Sequence, residues 1–132
     1  MIKDVGHVGI AVKDIEETLA AVARSLNIPV PKVNDVPGRN LKFAVVNIGQ
    51  VALEFIQDKS NDGEFARFVR EKGNAIHHIA FLTDDIEGDV ELLKKRGVEM
   101  ADQKPKVGVR GKKIAFTSKT AFNGIPFELT EP

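Results

Sequence analysis

The chain offers three histidines, His7, His77 and His78, and no cysteine. Without thiolates, a metal can be held only by imidazole, carboxylate or amide groups, so these histidines are where such chemistry would start. Two of them are adjacent in "GNAIHHIAFLTDDIE", residues 73–87, at the head of an apolar run that reads as a strand. Successive strand residues point to opposite faces, so His77 and His78 serve different surroundings. Taken singly, each is equally well a hydrogen-bonded histidine at a strand start.

Repetition separates them. "HVGIAVKDIEETLAAV" from His7 aligns with "HIAFLTDDIEGDVELL" from His78, placing Asp14-Ile15-Glu16 on Asp85-Ile86-Glu87 and Leu19 on Val90. The far ends match too. "GQVALEF" sets Gly49 before Leu53-Glu54-Phe55, and "NGIPFEL" sets Gly124 before Phe127-Glu128-Leu129. Internal self-similarity at this distance points to duplicated modules. Such modules usually pack about a pseudo-twofold axis, where equivalent residues converge. His7, Glu54, His78 and Glu128 are therefore the candidate ligands of a divalent ion. Imidazole and carboxylate suit Co, Zn, Ni or Mn without choosing among them. The register leaves His77 on the other face, as a polar residue at a surface or subunit interface. Glu54 and Glu128 have a competing reading as solvent-facing residues of alternating strands.

The elements that must position these groups follow from pattern. In both halves a strand leads into a helix at an aspartate, Asp14 or Asp85, whose carboxylate suits an N-cap. Ile15, Leu19, Val22 and Leu26 form one apolar stripe, and Ile86, Val90 and Leu93 the other. The second helix is expected to stop at Gly97 after Lys94, Lys95 and Arg96. Further strands are predicted near 30–34, 40–48, 98–102 and 112–118. The expected result is an α+β fold: one domain, 1–132, of two tandem βαβββ modules, about 1–58 and 74–132. A linker helix, about 59–73, carries Phe65 and Phe68.

Composition excludes other classes. Lys plus Arg equals Asp plus Glu, 19 each, so a nucleic-acid binder, which needs a basic excess, is not expected. No apolar run is long enough for a membrane span, and "MIKDVGHVGI" lacks the apolar segment of a signal peptide, so a cytoplasmic protein is expected.

The stretches "HVGIAVKDIEE", "FVREKGNAIHHIAFLTDDIE", "LKKRGVEM", "KPKVGVRGKKIAF" and "GIPFELTEP" resemble the vicinal oxygen chelate superfamily, and within it the methylmalonyl-CoA epimerases. The resemblance spans nearly the whole chain. It implies paired βαβββ units forming a curved, barrel-like mixed sheet around a metal cleft, commonly in a homodimer, and puts the family's metal ligands on His7, Glu54, His78 and Glu128. It also implies an acyl-CoA partner and an isomerase that removes and returns the C2 proton through a metal-stabilised enolate. Glu128 is the candidate base, with Glu54 possible for the opposite face. Lys42 stands nearest the place where some epimerases carry a second glutamate, and in "FTSKTAFNG" Thr117-Ser118 stand where the epimerases usually carry a His-Pro before the lysine. A basic run, Lys104, Lys106, Arg110, Lys112 and Lys113, suits a pantetheine or phosphate contact and equally a solvated turn. The alternatives are a lactoylglutathione lyase of the glyoxalase I type and a metal-free binding or resistance protein.

Overall fold

A computed structural model describes residues 1–132. In chain order it has β1 (Ile2–Ala11), α1 (Ile15–Leu26), β2 (Asn34–Asp35), β3 (Leu41–Ile48), β4 (Val51–Asp58), α2 (Glu64–Lys72), β5 (Ala75–Thr83), α3 (Ile86–Lys95), β6 (Lys106–Val107), β7 (Lys113–Phe116), a 3₁₀ turn at Lys119–Phe122, and β8 (Phe127–Thr130). The expected βαβββ order thus occurs twice, with a helix between, in an α+β fold. The strands hydrogen-bond in the order β2-β3-β4-β1-β5-β8-β7-β6. Read outwards from the centre, each half runs first, last, third, second strand of its own module, which is how a duplication shows itself in topology. No helix is long and apolar enough to cross a membrane.

Two compact units divide the chain: Gly9–His77, and Met1–Val8 together with His78–Pro132. In the first, Asp14 caps α1 by accepting the Glu17 N–H at 3.0 Å. Ile15, Leu19 and Ala23 are the buried face of α1. Ile15 and Leu19 pack with Ala44, Val46 and Phe55, and a side chain of their size contributes about 1.5–3 kcal/mol when fully buried. Leu26, expected in this stripe, is half exposed. The helix is ending there, with Asn27 in the left-handed region at φ 54°, so Ala23 takes the buried place one turn earlier. The predicted strand at 30–34 reduces to Asn34–Asp35, because Pro29 and Pro31 flank Val30 and supply no N–H to a ladder. No side chain of its own N-cap residue holds α2. Asp58 does so instead, accepting the N–H groups of Ser60 (3.0 Å) and Ala66 (3.2 Å).

In the second unit β5 and β8 are parallel neighbours, and β7 pairs antiparallel with β8 and β6. Asp85 caps α3 by accepting the Gly88 N–H at 3.1 Å. The helix ends at Lys95, and Gly97 at φ 84° turns the chain away, where a side chain would be strained. Ile86, Val90, Met100, Ala115 and Leu129 form the core. The strand predicted at 98–102 is a single bridge, Met100 to Thr117. The next two N–H groups, of Ala101 and Asp102, both donate to the Phe116 carbonyl, so the ladder cannot continue.

Candidate metal centre

Strand register explains how the second unit assembles a cluster of donors. Ala80 of β5 pairs with Glu128 of β8. His78 lies two residues before Ala80 and so shares the face that Glu128 occupies. The opposite face, with Leu129 and Ala115, belongs to the core under α3. His7 arrives from β1. Its Nε2 lies 3.2 Å from His78 Nε2. Glu128 offers Oε1 at 3.4 Å from His7 Nε2 and Oε2 at 3.3 Å from His78 Nε2. All three side chains are buried.

Two imidazole nitrogens facing each other can share at most one proton between them. A single cation can accept lone pairs from both rings and from the Glu128 carboxylate at once. Bonds of about 2.1 Å, at octahedral to tetrahedral angles, set neighbouring ligand atoms about 3.0–3.4 Å apart, and the observed spacings match. Burial, and then the Arg110 cation, lower the His7 pKa to about 4. The ring is neutral at physiological pH, which is the ligating form. The donors therefore fit a divalent ion.

In the first unit, Glu54 stands opposite Val45 on β4 and is buried, between the core residues Leu53 and Phe55. Glu128 sits in the same way between Phe127 and Leu129. Both glutamates are thus buried, and the solvent-facing reading does not hold for either.

His77 requires a correction. It does face away from the direction of His78, but that side is covered. Its ring packs against Phe65 (4.7 Å) and Phe68 (4.8 Å) of α2, and its Nε2 lies 3.4 Å from Glu64 Oε1. It is a buried anchor for α2, because α2 docks on the face that sequence periodicity leaves open.

Lys42 pairs across the ladder with Gln57 and shares its face with Ala44 and Val46, towards α1. Its Nζ meets Glu16 Oε1 of that helix at 3.0 Å. It therefore points to the side of its strands opposite Glu54. The basic run is divided. Lys106 pairs with Asp102 (3.0 Å) and Lys113 with Glu87 (2.7 Å), while Lys104 and Lys112 are exposed. Arg110 is half-buried, and its charge is felt at His7. Thr117 accepts the Phe127 N–H at 3.1 Å, fixing the start of β8 one residue before Glu128, and Ser118 accepts the Thr120 N–H.

Phe116, which the sequence reading passed over, stands opposite Glu128 in the β7–β8 register and meets the His78 ring edgewise, 5.1 Å between centroids. The alternation of Ile114 and Phe116 about the buried Ala115 was the available signal.

A duplicated βαβββ chain with buried imidazole and carboxylate donors is the build of one class of protein, and comparison with known families agrees. The chain belongs to the Glyoxalase/Bleomycin resistance protein/Dioxygenase superfamily, whose model matches residues 6–116. It is 33% identical to the uncharacterized protein YqjC of Bacillus subtilis, over 96% of this chain and 90% of that one. It is 29% identical to the mitochondrial methylmalonyl-CoA epimerase of Homo sapiens, over 95% of this chain and 72% of that one. Among solved structures, a methylmalonyl-CoA epimerase in complex with methylmalonyl-CoA and NH4+ has the same fold. Its TM-score is 0.90 at 23% identity, covering 99% of this chain and 95% of that one.

Proposed function

We propose that this chain is a metal-dependent epimerase of methylmalonyl-CoA, an isomerase that removes and returns the proton at C2. The convergence of His7, His78 and Glu128 carries the reading, and the similarity to epimerases supplies the substrate class. In this reading Glu54, the repeat-related equivalent of Glu128, completes the ligand set for Co, Zn, Ni or Mn. When bound, the ion supplies Lewis-acid stabilisation of the charge that develops on oxygen as the proton leaves.

The chain's own residues do the rest. His7 stays neutral, and both histidines hold their Nε2 atoms towards one point. Glu128 takes the C2 proton on a carboxylate oxygen, and Glu54 serves the opposite face. Arg110, the basic residue whose field reaches the site, balances the substrate's own carboxylate. Lys42 has no role in proton transfer. The partner is an acyl-CoA, and the working form is a cytoplasmic homodimer.

The test uses untagged protein. Metal content is measured, then loss of the C2 proton signal of methylmalonyl-CoA is followed in deuterated water. Stoichiometric divalent metal and metal-dependent exchange are expected, with Glu128→Gln abolishing exchange. Absence of metal uptake overturns the reading in favour of a binding protein. Uptake without exchange overturns the substrate, and a glutathione hemithioacetal is then the substrate to assay.

A further inference from the structure

Phe116 sits where it can control a ligand. It ends β7 directly opposite Glu128, so its side chain lies on the face of the donors. Its ring stands at 86° to the His78 ring with centroids 5.1 Å apart. From its other neighbour His78 meets His7, at 83° and 5.3 Å. The His78 imidazole is thus wedged between two rings that each cross it nearly at a right angle.

The wedge is itself held. The Phe116 N–H donates to Asp102 Oδ2 at 2.8 Å. Its carbonyl accepts the N–H groups of Ala101 (3.0 Å) and Asp102 (3.2 Å). The other carboxylate oxygen of Asp102 holds Lys106 Nζ at 3.0 Å, and that ammonium lies 5.9 Å from the centre of the Phe116 ring. That distance is near the outer limit of a cation–π contact. One acid therefore fixes the strand end that bears the ring and the cation beside it. All of these groups lie within the unit that carries His7, His78 and Glu128.

An imidazole turns about a broad torsion at its second side-chain bond. Presenting Nε2, rather than a ring edge, to the common point requires that this torsion be limited. Residues behind metal ligands usually do this by hydrogen bonding, and altering them weakens binding about 10–100-fold. Here the group packed edgewise against the imidazole is a clamped aromatic ring.

We infer that Phe116 is a positioning residue for His78: held by Asp102 and flanked by Lys106, it keeps the imidazole aimed at the point shared with His7 and Glu128. The inference rests on the metal reading above, and it assigns Phe116 no contact with the reacting atoms. Phe116→Leu removes the ring, and Phe116→Tyr retains it.

The experiment titrates metal-free protein with Co²⁺, reading the visible absorption of the bound ion and its affinity in competition with a chelator. Phe116→Leu is expected to weaken Co²⁺ binding about tenfold or more and to alter the visible bands. Phe116→Tyr is expected to remain within about twofold of the wild type, since the ring is what positions the ligand. Co²⁺ affinity and spectrum unchanged in Phe116→Leu would overturn the inference, as would an equal loss in both variants. Should Phe116→Leu not fold, Asp102→Ala carries the test at the clamp: weakened Co²⁺ binding supports the inference and unchanged binding overturns it. Wild-type protein that takes up no Co²⁺, or whose uptake survives His78→Ala, overturns the metal reading and this inference with it. Uptake that needs His78 but ignores Phe116 overturns this inference alone.

Discussion

Replacing His77 by alanine separates the two adjacent histidines by what each loses. His77 is 4% exposed and lies against two phenylalanine rings of α2. Truncating a buried aromatic ring in a core costs about 3–5 kcal/mol. The imidazole is smaller and its carboxylate neighbour Glu64 is largely exposed, so about 2–3 kcal/mol is expected here. For a domain of this size each kcal/mol moves the thermal midpoint by roughly 3–5 °C, giving a fall of about 10 °C. The chain has neither Trp nor Tyr, so unfolding is best followed by far-UV circular dichroism rather than fluorescence. His77→Phe should recover most of the loss, since the ring contacts carry it. Co²⁺ affinity should be nearly unchanged in folded His77→Ala, whereas His78→Ala should lose it about a hundredfold or more. A His77→Ala protein with the wild-type midpoint but no Co²⁺ binding would refute the assignment of the two faces.

Lys42→Ala is expected to leave deuterium exchange at C2 within about twofold of wild type and the unfolding midpoint unchanged, because Lys42 meets only an exposed glutamate. Asp85→Ala should destabilise the protein by about 1 kcal/mol in urea unfolding, through loss of the α3 N-cap. Lowering pH from about 6.5 to about 4 should destabilise the metal-free protein through His7. The unfolded chain takes up this proton near its ordinary value, while the folded chain resists until about pH 4, so protonation favours unfolding across that window. The effect is on the order of 3 kcal/mol at the acid end. A His7→Gln variant lacks this contribution, and its urea midpoint should depend less on pH over the same range.

The duplication was legible because strand-to-helix transitions leave local marks: Asp14 and Asp85 cap helices, and Glu54 and Glu128 sit inside apolar triplets. That both glutamates are buried could not be read from alternation, which looks the same for a wet face and an inner one. The position of His77 depended on α2, whose docking is a tertiary event. Its own residues, Phe65 and Phe68, announced a helix without naming the strand it would cover. The weak strands failed for local reasons, prolines around Val30 and a doubled hydrogen bond at the Phe116 carbonyl. In "KPKVGVRGKK" the charges look equivalent in one dimension. A loop carboxylate four residues back, Asp102, and a helix partner, Glu87, divide them and leave Arg110 with its field on His7.

His7 and His78 are 71 residues apart in the chain, and Glu128 comes from a third strand. A cation gripped by all three would act as a reversible cross-link, closing long loops that are entropically slow to close unaided. Such a clasp would secure separate stretches of backbone with a single atom. Chelators should then do more than silence the protein: they should shorten the lifetime of its folded state, and metal supply during synthesis should govern how much of it accumulates.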